Sequence, residues 1–341
     1  MNRDFAEYIK EHIREYLPLE YQDADVSIEK ITKSNDRNLT GLIIHKSGDK
    51  TAPTIYLEPY ADQVDGGRSL VSVMQEIAKI QTDYGDRIPF EVPKFADYGE
   101  AKPMLFIKLC DPERNQAYLK DKPSTPCGNL VAIYGVEIMK DDEGVASAVI
   151  TDSLLKAWGV SKGQLHQDAV LAENKRNPVC FYRMDDVMSE IMFSAEPENL
   201  FSKTEPLDVE QVPMYVLTNQ GKVNGAGVLA RDGVAEKIGE LIGANYYILP
   251  SSIHELLIIP DNGNMQTREL EDMVKEINAT QVAPAERLSD KVQYYDRATK
   301  TLGRKQEKGL LEQLADKKKQ VQQQEDKTDL AKQKSKSDPS L

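Results

Sequence analysis

Apolar side chains recur at three- and four-residue intervals over Phe5, Tyr8, Ile9, Ile13 and Tyr16, with His12 on the same stripe. That spacing predicts an amphipathic helix, and Pro18 stops it. Two alternating runs follow, with Val26, Ile28 and Ile31 in the first and Leu42 and Ile44 in the second. The polar stretch Ser34-Asn35-Asp36-Arg37-Asn38 between them has the chemistry of a turn, so the pair predicts a hairpin. A third strand is expected over Thr54 to Leu57, and a second helix where Leu70, Val73, Met74, Ile77 and Ile80 return to helical spacing. Met104 to Leu109 reads as a buried strand, with a short helix from Asp111 after it.

Lys122-Pro123-Ser124-Thr125-Pro126 resembles a connection between domains. Beyond it Leu130 to Met139 and Val145 to Thr151 predict a second hairpin, turning through Asp141-Asp142-Glu143-Gly144. Two helices come next. Thr151 or Asp152 can cap the first, Gly159 ends it in a left-handed conformation, and Ser161 with Gln164 forms a capping box for the second. From about 175 to 212 periodicity is weak and Pro178, Pro197 and Pro206 interrupt the chain, which predicts a long irregular excursion. A strand from Met214 to Thr218, a helix from Gly233 to Ile242, paired strands at Tyr246 to Leu249 and His254 to Ile259, and a helix from Thr267 to Ile277 complete the pattern.

Strands joined mostly by hairpins, with helices in groups, predict an α+β fold in two units, residues 1–122 and 123–299, each of mainly antiparallel sheet with packed helices. Residues 300–341 form a charged tail whose Leu310, Leu314 and Val321 are too few to bury a helix face, so it is expected to be disordered or transiently helical.

Charge and composition narrow the function classes. The formal net charge is -13, but from Lys300 onward 11 basic residues face 7 acidic ones, so the folded body is more acidic than the chain as a whole. An acidic body is a poor surface for phosphate, which leaves nucleic-acid association as an expectation only for the Lys-rich tail, and a weak one. The longest apolar runs fall far short of the roughly 20 residues of a membrane-spanning helix, and the N-terminus has no apolar signal region. A cytoplasmic, membrane-free protein is expected. Three widely spaced cysteines, Cys110, Cys127 and Cys180, suit neither a disulfide framework nor a metal site.

Candidate chemistry is sparse. Gly225-Ala226-Gly227-Val228-Leu229-Ala230 has the glycine spacing of a dinucleotide loop, but it abuts no strand, and Asp232-Gly233 is the better helix entry. The four histidines share no ligand spacing, so neither metal nor cofactor is expected. Pro250-Ser251-Ser252-Ile253-His254-Glu255 gathers two hydroxyls, an imidazole and a carboxylate, and on a strand Ser252 and His254 would share a face. Ser251, Ser252, His254 and Glu255 are therefore candidate ligand or partner contacts. No catalytic residue is assigned, because the acid and oxyanion donors that a nucleophilic serine needs cannot be placed from the pattern.

Several segments together are similar to a known family: Asp25 to Ile31, Pro53 to Leu57, Asn129 to Tyr134, Trp158 to Ser161, Tyr247 to Glu255 with its PSSIHE run, and Asn278 to Pro284 with its NATQVAP run. The chain resembles the bacterial DUF5688 family, catalogued only as a domain of unknown function. The resemblance implies a cytoplasmic protein of anaerobic gut bacteria, often encoded near mobile genetic elements, and brings no catalytic residues with it.

These readings favour a non-enzymatic binding or accessory protein with a protein partner. Its partner-facing segment is expected to lie in the excursion, where Phe181, Tyr182, Met184, Met188 and Met192 are too many apolar side chains to leave exposed without a purpose. Two alternatives remain open: a hydrolase using Ser251 or Ser252 with His254, and nucleic-acid association through the tail.

Overall fold

The structure, a computed structural model, describes residues 3–48, 52–87, 96–141, 144–207 and 214–305. The chain divides into a unit ending at Gly303 and a second from Arg304 to Leu341. The expected tail beyond Lys305 lies outside the described residues. No helix among the described residues is long and apolar enough to cross a membrane.

The N-terminal stripe folds as α1 (Arg3–His12), tightening into a 3-10 turn over Ile13–Tyr16 before Pro18. It packs on a three-stranded antiparallel sheet, β1 (Asp25–Lys33), β2 (Arg37–His45) and β3 (Thr54–Tyr56). The hairpin is in register from Asp25 opposite His45 to Lys33 opposite Arg37. Asn35 and Asp36 sit at φ 63 and 47, the left-handed pair that matches the twist of two antiparallel strands. Helices α2 (Glu58–Asp65) and α3 (Leu70–Arg87) complete the layer. Ile9, Ile13, Leu42, Ile44, Leu57, Met74 and Ile77 are fully buried there. Each such side chain contributes about 1.5–3 kcal/mol of burial.

After the short α4 (Tyr98–Ala101), strands β4 (Leu105–Cys110), β5 (Ser124–Cys127), β6 (Leu130–Asp141) and β7 (Gly144–Val149) build a second antiparallel sheet around β6. Helices α5 (Asp152–Trp158) and α6 (Lys162–Arg176) follow, capped by Thr151 and Ser161, with Gly159 left-handed at φ 66. The third sheet runs β13-β12-β10-β11-β9-β8. Its strands are β8 (Val179–Arg183), β9 (Tyr215–Asn219), β10 (Tyr246–Leu249), β11 (Leu256–Pro260), β12 (Gln293–Asp296) and β13 (Thr301–Gly303). They alternate with α7 (Met184–Phe193), α8 (Val234–Ile242) and α9 (Thr267–Thr280). The fold is α+β, with antiparallel pairing in all three sheets.

Several expectations change. Lys122–Pro126 is not a free connection: Ser124–Cys127 is β5, paired with β6. Strand β4, expected to close the first unit, pairs with β6 across residue 122, from Leu105 opposite Val136 to Cys110 opposite Val131. The second and third sheets share one core in which Ile107, Tyr134, Phe181, Tyr215 and Tyr246 meet, whereas the residues packed around α1 and α3 form another. The apolar cores thus divide the chain before Ala101 rather than at 122. Asp111 opens a series of turns, not a helix, because Asp111 Oδ1 takes the Glu113 N–H and its carbonyl takes Asn115 Nδ2. The excursion is regular over much of its length, forming β8 and α7, while residues 208–213 lie outside the described set.

Candidate functional site

The PSSIHE run leaves β10 at Pro250 and reaches β11 only at Leu256. Ser252 and His254 therefore do not project from one strand face as expected. Ser252 Oγ instead accepts the His254 backbone N–H at 2.9 Å, a local turn that competes with extended structure. The segment is tied to the stretch after the NATQVAP run. Ile253 N–H donates to the Glu286 carbonyl (2.9 Å), Leu288 N–H to that of Ser251 (3.2 Å) and Ser289 N–H to that of Pro250 (2.9 Å). That stretch is itself strapped. Asn278 on α9 donates to the Ser289 carbonyl and to Asp290, and Arg287 Nε donates back to the Val282 carbonyl. The two runs that carry the family resemblance are brought together in space.

A third wall comes from the turn after β9, where Lys222 and Asn224 are left-handed at φ 51 and 50. Gly225 follows at the closest approach: a Cβ there would collide with Thr218 Oγ1 and the His254 carbonyl, which Thr218 Oγ1 already bonds at 2.8 Å. Gly227 likewise faces the Ile107 carbonyl. The glycine spacing that mimics a dinucleotide loop serves close packing within a buried 3-10 segment, Gly225–Ala230.

Between these walls lies an open cleft of about 360 Å³, lined by Lys222, Ser252, His254, Glu255, Gln281, Val282 and Glu286. His254 Nδ1 stands 3.3 Å from the Asn224 backbone N–H, which can only donate. Nδ1 is therefore the acceptor, and the neutral ring carries its hydrogen on Nε2, which faces Glu286 Oε1 at 3.6 Å. Lys222 Nζ reaches both carboxylate oxygens of Glu190 on α7 at 2.8 Å. With that amine neutralised, Glu255 and Glu286 give the cleft an acidic balance.

Of the expected contacts, Ser252, His254 and Glu255 line the cleft. Ser251 is buried beside it, its carbonyl engaged by Leu288. Gln281, Glu286, Lys222 and Asn224 were not singled out in the sequence. Glu286 follows the NATQVAP run closely enough to have been suspected, whereas nothing local marks Lys222. In the excursion Phe181 is fully buried and stacked on Tyr215 with ring centroids 4.8 Å apart, so it is core rather than partner-facing. Tyr182 and Met184 are half-buried, whereas Met188 and Met192 are exposed together with Ile191 and Phe193.

All three cysteines are buried and none is in a disulfide. Burial pushes the thiols of Cys110 and Cys127 up to about 11 and about 12, which keeps both protonated and unreactive. Among the described residues no group of three or more His, Cys, Asp or Glu side chains could hold a metal ion.

A family model described as "Family of unknown function (DUF5688)" matches residues 2–297. No curated protein and no solved structure matches the chain.

Proposed function

Because the chain belongs to the DUF5688 family, whose description assigns no activity, we propose from the cleft itself that the protein is a non-enzymatic binding protein. Its PSSIHE–NATQVAP cleft receives a hydrogen-bond-donating or cationic group of a protein partner. The observation that carries this reading is the state of His254. A serine hydrolase needs an imidazole lone pair facing the serine hydroxyl. In the neutral ring of His254 the only lone pair is on Nδ1, and the Asn224 N–H takes it. Ser252 Oγ in turn holds the backbone N–H of His254, not its ring. What stays accessible at the cleft is a pair of carboxylates, Glu255 and Glu286, beside Gln281, and these are acceptors.

The test has two arms. A fluorophosphonate probe should leave Ser251 and Ser252 unlabelled, and generic ester and peptide substrates should not turn over. Labelling abolished by His254→Ala would reverse the assignment in favour of a hydrolase. In the second arm, a photo-crosslinking residue in place of Gln281 should give one discrete protein adduct in the native host. That adduct should be lost in Glu255→Gln/Glu286→Gln, and persistence in that variant would remove the carboxylates from recognition.

A further inference from the structure

Helix α7 is the one place among the described helices where large apolar side chains gather in the open. Ile191, Met192 and Phe193 are 73%, 60% and 75% exposed, and Met188 is 46% exposed. None of its residues is buried. Met188, Ile191 and Met192 stand three and four positions apart, so they share one face. Ser194, left-handed at φ 55, ends the helix and leaves Phe193 at its last turn. An exposed apolar face of this kind on a folded body marks an interaction surface.

Charge selects the occupant. From Met184 to Glu198 the chain carries five carboxylates, Asp185, Asp186, Glu190, Glu196 and Glu198, and no basic residue. Lys222 neutralises Glu190, and Lys203 pairs with Glu198 at 3.0 Å, which leaves two exposed, unneutralised carboxylates, Asp185, one turn before Met188 on the same side of the helix, and Glu196, just beyond its end. The helix C-terminus beside Phe193 adds the negative end of the backbone dipole. Such a field repels an anionic membrane surface and attracts a cationic polypeptide.

The neighbouring strand narrows the occupant further. β8 is the edge of its sheet, and an open edge would invite an added strand. Asn199 closes it: its Oδ1 accepts the Phe181 N–H at 3.0 Å and its Nδ2 donates to the Val179 carbonyl at 3.0 Å. With those two groups at the centre of β8 satisfied, strand addition there is obstructed, which favours a partner that engages side chains. We propose that α7 docks a basic amphipathic helix of a protein partner, its apolar stripe on Met188, Ile191, Met192 and Phe193 and its Lys or Arg side chains on Asp185 and Glu196. This inference stands apart from the cleft, since none of these residues lines it.

The test uses the full chain and a fluorescent synthetic peptide with leucine and lysine at helical spacing, followed by anisotropy. Binding should weaken as salt is raised. It should fall at least about tenfold in Ile191→Ser/Phe193→Ser and again in Asp185→Asn/Glu196→Gln, with cooperative melting retained in both; Asp185 stands in the first turn of α7, so only a small melting shift is expected from its neutralisation. Glu255→Gln/Glu286→Gln, which removes the cleft's carboxylates, should bind as the parent does, which separates this surface from the cleft. Equal binding by the Ile191→Ser/Phe193→Ser chain, or equal affinity for a leucine–glutamate peptide, would overturn the proposal. So would co-flotation with phosphatidylserine vesicles, which would make the face a membrane contact instead.

Discussion

Glu173 on α6 and Arg231 hold opposite charges almost entirely out of water, with side chains 3% and 1% exposed and Nη2–Oε2 at 2.8 Å. Burial pushes the Glu173 carboxyl above its ordinary range, and the attraction of Arg231 offsets only part of that. Arg231 also donates to the Asn177 carbonyl at 2.8 Å, so its removal leaves that acceptor and Glu173 Oε2 unpaired, with the carboxylate held only at Oε1 by Asn177 Nδ2 and, at 3.9 Å, by Arg176. Arg231→Ala should cost about 3–5 kcal/mol in urea unfolding, while Glu173→Leu/Arg231→Met recovers most of the loss. A cost below about 1 kcal/mol for the single variant would mean that water reaches the carboxylate. Asp168 gives a pH signature. Burial raises its carboxyl, but hydrogen bonds from Lys102, Tyr98 and Gln164 outweigh that and hold it below the usual carboxylate range. A depressed folded value contributes stability that is full above the unfolded value and is lost as pH falls through the folded one. The melting-temperature gap between the parent and Asp168→Asn should therefore be widest near neutrality and close as pH falls below the ordinary carboxylate range of about 4. A gap that stays constant through that fall would assign Asp168 a packing role only. Gly225→Ala should destabilise by about 1–3 kcal/mol, since the added carbon meets Thr218 Oγ1 and the His254 carbonyl, neither of which can retreat.

At the scale of elements, the sequence was most legible where local chemistry decides the outcome. Thr151 and Ser161 bond the Leu154 and Gln164 amides as their types predict, and Gly159 takes the left-handed stop. The 34–38 turn and the helical stripes of α1, α3, α8 and α9 follow the same logic. It was least legible where pairing is non-local. Ser124–Cys127 contains a proline and looks like a linker, yet it gains strand structure from β6. Gln293–Asp296 is too short to stand out, and it is held between β10 and β13. The cleft shares this limit: the PSSIHE and NATQVAP runs were visible, but Lys222 and Asn224 reach it only because Gly225 lets the β9 turn press against His254. Asn199 belongs to the same class, a single side chain acting as a surrogate strand. Asn199→Ala should cost about 1–3 kcal/mol, because the Phe181 N–H and Val179 carbonyl lose their partners. It should also give concentration-dependent self-association in sedimentation, as β8 regains a free edge. A strictly monomeric profile equal to the parent's would show that α7 or the 200–202 turn already shields the strand.

At the scale of the molecule, the layer built on α1, α3 and the first sheet has its own buried cluster, Ala6 to Ala78, distinct from the core shared by the other two sheets. Hydrogen bonds between the two gather at the tip of the β1–β2 hairpin. Asn35 N–H donates to Asn115 Oδ1 at 2.6 Å, and Asn35 Nδ2 donates to the Pro284 and Arg287 carbonyls at 3.0 and 2.9 Å. Asp36 accepts the Ala117 and Tyr118 amides, and Lys108 Nζ donates to Ser34 Oγ at 2.9 Å. Pro284 and Arg287 flank Glu286, whose carboxylate faces His254, so the hairpin tip also braces one wall of the cleft. Asn115 is the residue through which to test this coupling. It is buried, bonds Asn35 in both directions, and lies outside the turn, so its removal leaves the left-handed backbone of Asn35 and Asp36 intact. Asn115→Ala loses these hydrogen bonds and strands the Asn35 amide, a cost of about 1–3 kcal/mol. Part of the loss falls within the second part of the chain, where Asn115 Nδ2 also holds the Asp111 carbonyl, but the part that falls between the cores should make calorimetry show two transitions where the parent is expected to show one. Hydrogen exchange should rise at 282–288 while the centre of β10 stays protected. A single transition lowered as a whole, with exchange at 282–288 unchanged, would mean that apolar contact alone joins the two cores and that the hairpin tip does not brace the cleft.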